Sequence, residues 1–189
     1  MKQTRQFKSA PWAWRGAGIL LVLLMASCTG RTRPDPTVAA REFFEKHTDF
    51  YTLENVGAVE QTVTPEFYAL LNRIIAEGFP MGYVVDACAW TDSQDGWLKD
   101  DPVYTVVRND GRRAVVRMDY DFEIGSTVEP RRTLLTLEWD AAARRWRIAD
   151  LEGPDEYPYV QSHLEWFKQV AETGSFMRPA RDAAGEEAR

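Results

Sequence analysis

The chain predicts an α+β domain. Helices come first, an antiparallel β-meander follows, and one more helix closes the chain, so that helices cover one face of a curved sheet. Three observations carry this. Two apolar stripes at helical spacing, beginning at Ala40 and at Phe67, open the domain. Arg113 to Ile124 then alternates apolar and charged residues. Short connections, Asn109-Asp110-Gly111 and Asp140 to Arg144, make the strands antiparallel neighbours.

Each element has a local reason. Asp35-Pro36 reads as a helix N-cap followed by a first-turn proline. Ala40, Phe43, Phe44, His47, Phe50 and Tyr51 then share one helical face. Val56 to Val63 is weakly helical. Thr64-Pro65 starts a stronger helix, with Phe67, Leu70, Leu71, Ile74 and Ile75 as its stripe and Gly78 as its end. This stripe is expected to meet that of the first helix. His47 and His163 both lie on apolar faces and read as core residues.

Phe79 to Asp101 reads as an irregular connection holding an apolar run, Tyr83 to Ala89, and a polar cluster, Asp92 to Gly96. A connection this long in a compact domain is usually functional or mobile. The polar cluster approaches the opening of a calcium loop. Gln94, however, stands where an acid or Asn is wanted, and the distal Glu is missing. Asx-turn chemistry explains it as well.

The meander follows. Val103 to Val107 reads as a strand, and Arg113 to Ile124 is the clearest one. Val116, Met118, Tyr120, Phe122 and Ile124 face one side; Arg117, Asp119, Asp121 and Glu123 face the other. The three carboxylates repeat about every 7 Å. They read as a solvated face, with Arg117 or Arg132 as cross-strand company, more readily than as a cation site. Gly125 to Pro130 turns the chain, and Thr133 to Trp139 and Arg145 to Leu151 complete the sheet. After Gly153-Pro154, a final helix carries Val160, His163, Leu164, Phe167, Val170 and Ala171 and ends at Gly174. Met177 to Arg189 is small and charged and is expected to be disordered.

Ahead of the domain, Lys2, Arg5, Lys8 and Arg15 precede an apolar run from Gly16 to Ala26, with no acid before Asp35. That run suits a secretory leader and is too short for a membrane span, which needs about twenty residues. Met25-Ala26-Ser27-Cys28 resembles the lipobox of bacterial lipoproteins, with Met where Leu is usual. The resemblance implies cleavage before Cys28 and acylation of its thiol. Two or three acyl chains anchor stably where one does not. Thr29 rather than Asp follows the cysteine, which in a host with two membranes implies the outer one, facing the periplasm. The expected division is a leader at 1–27, an anchored linker at 28–35, one domain at 36–174 and a tail at 175–189.

The net charge is −6, and losing the leader's four basic residues takes it to −10. Such a cargo argues against nucleic acid, and against an anionic lipid surface as a second contact. With Cys28 acylated, Cys88 has no partner and reads as a small buried apolar residue. Two histidines, with no paired CxxC, HExxH, P-loop or GxGxxG motif, leave no metal or cofactor expected.

The order of elements is similar to the cone-shaped fold of the nuclear-transport-factor-two-like superfamily. The segments AAREFFEKH and TPEFYALLNR, an acid at Asp86 ahead of Gln94-Asp95, and the strand Trp146 to Asp150 also resemble the domain of unknown function 3828 family. That family has no established activity, so no catalytic residue carries over. The superfamily resemblance implies a pocket between the concave sheet and the helices, with the loop before the long strand at its mouth. Some members use it for isomerase or hydratase chemistry with an Asp and a Tyr; others bind a ligand or a protein.

Three functions compete. The first is a non-catalytic envelope module that binds a small molecule or a protein, with Asp86, Trp90, Gln94, Asp95, Trp97 and Asp150 as the candidate contacts. Aromatics among polar side chains on a loop are typical recognition anchors, although Trp90 and Trp97 also suit plugging the open end of the sheet. The second is a pocket enzyme, with Asp86, Asp92, Asp95 or Asp150 as acid or base and Tyr104 or Tyr120 as donor. The third is an immunity-type protein whose acidic surface meets a basic toxin. An interior cavity lined by Trp90 and paired carboxylates favours the enzyme; a filled interior favours the interaction module.

Overall fold

The computed structural model describes residues 32–50, 55–78, 89–91, 95–153 and 162–174. The leader, Cys28, Asp86, Cys88, Asp92, Gln94 and the 175–189 tail lie outside the described residues. The chain divides into the compact units Met1–Thr32 and Arg33–Arg189, and the fold is that of the second.

Helix α1 spans Pro36–Lys46, and the Asp35 carboxylate accepts from the Thr37 N–H at its start. It stops earlier than the apolar stripe suggests. Phe50 still reaches the core, from a turn in which its N–H bonds to the His47 carbonyl. A 3-10 turn, Val56–Val59, follows. Helix α2 spans Pro65–Ala76, capped by Thr64, which accepts from Phe67 N–H. The expected pairing of α2 with α1 is replaced by another. α2 lies against α3, His163–Thr173, where Phe67 and Phe167 stack at 5.6 Å. Phe50 fills the gap toward α1, 5.3 Å from Phe43 and 5.8 Å from Phe67. A large ring from a turn thus separates the two stripes that sequence pairs.

The sheet is open and antiparallel. Its strands are β1 (Trp97–Leu98), β2 (Val103–Asn109), β3 (Arg113–Ile124), β4 (Thr127–Asp140) and β5 (Arg145–Glu152). β4 pairs along one edge of β3, while β1 and β2 follow one another along the other; β5 pairs with β4. The helices cover one face. There β3 buries Ala114, Val116, Met118, Tyr120 and Phe122, the side its alternation assigns to the core. On the opposite face Arg117 and Asp119 form an ion pair at 2.8 Å.

Two boundaries differ from the sequence reading. β4 begins at Thr127, because Gly125-Ser126 makes a two-residue turn with Gly125 at φ 61° and Ile124 pairs with Thr127. Pro130 therefore lies inside the strand. Pairing of β4 with β5 starts only at Leu134, so Pro130 has a partner on one side alone, where a missing N–H is tolerated. The connection read as irregular also contains β1, with Trp97 opposite Glu123. Gly96 allows this. Its φ is 113°, and a Cβ there would stand 2.6 Å from the Glu123 carbonyl oxygen.

The two edges of the sheet are unlike. β5 is covered: Thr64 N–H donates to the Ile148 carbonyl at 2.8 Å, and Ile148 N–H donates to the Thr62 carbonyl at 2.9 Å. Among the described residues, nothing pairs with the outer edge of β2.

Candidate functional site

The turn Ala89 to Thr91 is where the long connection meets the sheet, and it is held from both sides. Trp90 is fully buried, with its ring 5.2 Å from Phe43 and 5.0 Å from Phe44. Its Nε1–H donates to the Thr48 carbonyl at 3.2 Å. Its own carbonyl accepts from the Tyr120 phenol at 3.0 Å and the Thr133 hydroxyl at 2.6 Å. A buried tryptophan usually finds a partner for its N–H, and here both the ring N–H and the carbonyl of Trp90 are matched. Trp90 fills the interior; it presents no face to a partner.

Arg131, which the sequence reading passed over, joins this cluster. Its side chain is fully buried. It donates to the Thr91 carbonyl at 3.1 Å and to the Glu129 carboxylate at 2.9 Å, and lies 4.4 Å over the Phe122 ring. Burying a guanidinium without such partners is costly. The signal for it was the register: Tyr120 pairs with Arg131, so a core-facing Tyr120 places Arg131 on the core face as well.

Among the described residues, the remaining candidates do not converge. Asp95 is exposed, and Trp97 is 56% exposed on β1. Asp150 stands on β5, at the far side of the sheet from Trp97. It is buried, and its Oδ1 accepts from Leu151 N–H at 2.7 Å and from Leu164 N–H, in the first turn of α3, at 3.0 Å, adding to the Ser162 N-cap. Beside it, His163 Nδ1–H donates to the Leu151 carbonyl at 2.8 Å, which sets the tautomer. Glu152 is pushed above the ordinary carboxylate range by burial first and by the Asp150 charge second.

As acid–base chemistry, these groups are poorly placed. Tyr120 spends its proton on the Trp90 carbonyl. Tyr104, under Arg41 at 5.3 Å, is pushed up to about 12, chiefly by burial and then by Glu45. A phenol that far above neutrality stays protonated, so Tyr104 keeps a hydrogen to donate but makes an inefficient general base. Among the described residues, no three His, Cys, Asp or Glu side chains come together to hold a metal. A cleft of about 200 Å³ opens between α1 and the start of β5, lined by Asp35, Val38, Glu42, Thr62, Arg145 and Trp146. It falls below the roughly 300–1,000 Å³ usual for small-molecule sites.

Exposed apolar side chains are strung along β1 and β2 instead. Trp97 and Val103 lie on the wet face, opposite Glu123 and Asp119, Val106 pairs with Val116 on the covered face, and Val107 falls at the irregularity between Val106 and Arg108. Val128 is also exposed, across Glu123 from Trp97. No known family model matches this chain, and no curated protein matches it.

Proposed function

We propose that this protein is a lipid-anchored module of the bacterial cell envelope that recognises a protein partner, without catalysis, along the β1–β2 edge. The observation that carries the reading is the contrast between interior and edge. The interior is packed with Trp90, Phe43, Phe50 and Phe67, while Trp97, Val103 and Val107 are each more than half exposed along a strand edge that, among the described residues, is unpaired. Proteins normally blunt such edges with charge or cover, because an open edge accepts another chain's strand. A partner that adds an extended segment to β2 would take main-chain hydrogen bonds for affinity, and would seat side chains against the valines and Trp97 for specificity.

The anchor supplies the location. The basic n-region, the short apolar run and Ala26-Ser27-Cys28 support lipid on Cys28, and Thr29 supports the outer membrane.

The test is site-specific photo-crosslinking in the envelope of cells making the full chain. A photoreactive residue at Val107 is expected to give a discrete adduct, and one at the exposed Glu172 on α3 none. Adducts from both positions, or from neither, overturn the reading. Fractionation and intact mass of wild type and Cys28→Ala check the anchor: the wild type is expected in the membrane fraction with acyl mass on Cys28, and an unmodified Cys28 overturns that part.

A further inference from the structure

The net negative charge is not spread evenly over the domain. The β2–β3 turn and the β4–β5 turn project from the same end of the sheet, since Arg113 pairs with Glu138 and Asp140 with Arg145. Arg108, Arg112 and Arg113 come from the first turn and its flanks, and Arg144 and Arg145 from the second. All five are exposed. The chain comes into the domain at this end too. Arg33 lies over the Trp139 ring at 5.0 Å, and the Pro34 carbonyl accepts from Trp146 Nε1–H at 2.8 Å. Arg33 is the sixth exposed arginine there.

The carboxylates at this end are fewer than the arginines. Asp35 accepts from Thr37 N–H, Asp110 accepts from Arg112 and Arg113 N–H and lies in the field of Arg108 and Arg112, and Asp140 pairs with Arg147 at 2.7 Å. Glu138 lies between Arg113 and Arg147 in the register. Among the described residues none of the six arginines has an ion-pair partner. The opposite end of β3 is the acidic one, with Asp95, Asp100, Asp101, Asp121, Glu123 and Glu129. Twelve residues of β3 separate the two ends by about 37 Å. The Debye length at 0.1 M salt is about 10 Å, so a surface touching the arginine end feels little of the acids.

We infer that the arginine end is a second contact, seated on the anionic phospholipid headgroups of the membrane that holds the anchor. The inference rests on the anchored reading above. With lipid on Cys28, four residues lie between the anchor and Arg33, five steps of chain and a reach of at most about 18 Å. The tether holds the arginines near the headgroups at high effective concentration, so a weak contact suffices. The acidic end and the β1 strand then point away from the bilayer. Net charge alone suggests repulsion; the sum hides the segregation.

The test is arginine labelling with phenylglyoxal on the full lipidated chain, in bilayers of phosphatidylcholine alone or with a minority of phosphatidylglycerol. Labelling of Arg112, Arg144 and Arg145 is expected to slow several-fold on the anionic bilayer and to recover at high salt, while Arg132 is unchanged. Replacing Arg112, Arg144 and Arg145 together by Gln should remove the protection of Arg33 and Arg108 without moving the thermal midpoint by more than a few degrees. Equal labelling on both bilayers, or equal protection at Arg132, overturns the inference. So does protection that appears only after a protein extract is added, which assigns the surface to a protein. Intact mass of the same sample reports the acyl group on Cys28 independently, so a failed anchor and a failed headgroup contact are told apart.

Discussion

The Tyr120 phenol donates to the backbone carbonyl of Trp90 at 3.0 Å, across thirty residues of sequence. That bond fixes the Ala89 to Thr91 turn of the long connection to the central strand. Thr133 donates to the same oxygen at 2.6 Å. Tyr120→Phe should therefore cost only about 1 kcal/mol, because the carbonyl keeps one donor. Adding Thr133→Val strands it, and the double variant should lose more than the two singles combined. Trp90→Ala should cost about 3–5 kcal/mol, as a large void opens among Phe43, Phe44 and Phe50. Urea unfolding measures all four; a Trp90→Ala variant as stable as wild type would return this residue to the surface.

Asp150 is expected to behave as a helix cap. Asp150→Ala removes the acceptor of Leu151 and Leu164 N–H and should cost about 1–2 kcal/mol. Asp150→Asn keeps an oxygen and should cost less. Equal losses in the two, read from chemical unfolding, would mean that charge rather than capping matters here.

Gly96→Ala should destabilise by more than about 1 kcal/mol. The added methyl would meet the Glu123 carbonyl at 2.6 Å and the Phe122 ring at 2.7 Å, at a φ of 113°. The neighbouring Trp97→Ala should stay within about 0.5 kcal/mol, since its ring is mostly in water. Thermal midpoints of the pair give the comparison; the reverse order would mean that β1 is pinned by Trp97.

Acidification should weaken the fold in two steps. His47 is held below its ordinary 6.5 by burial first and Lys46 second. The unfolded histidine therefore takes its proton first, and stability that is full above pH 6.5 declines as pH falls toward the lowered folded value. Asp140 is held below its ordinary 3.8 by the Ala143 N–H and then the Arg147 side chain. Its contribution is present above pH 3.8 and is lost as pH falls through the depressed folded value. His47→Gln should erase the first step alone and Asp140→Asn the second alone. Urea midpoints across pH decide this; an unchanged profile in either variant removes that residue from the account.

The sequence by itself determined the local features. Caps at Asp35 and Thr64, the turn at Asn109 to Gly111, and the in–out order of β3 all depend on residues a few positions apart, whose sterics and hydrogen bonds act without the rest of the chain. Tyr120 and Phe122 fall on the covered face for that reason. Tertiary structure decided whatever joins distant residues. Phe50 comes between the stripes of α1 and α2, and Phe167 takes the place beside Phe67. Arg131 and Arg132 are neighbours of the same type, and only pairing with Tyr120 sends Arg131 inward. The candidate set Trp90, Trp97 and Asp150 was legible as residue types but not as a place. Burial took the first, an open edge the second and a helix cap the third, because each is settled by which strand or helix arrives beside it. Charge behaves likewise. Composition fixes the total, while the register of two hairpins sets the arginines at one end and the carboxylates at the other.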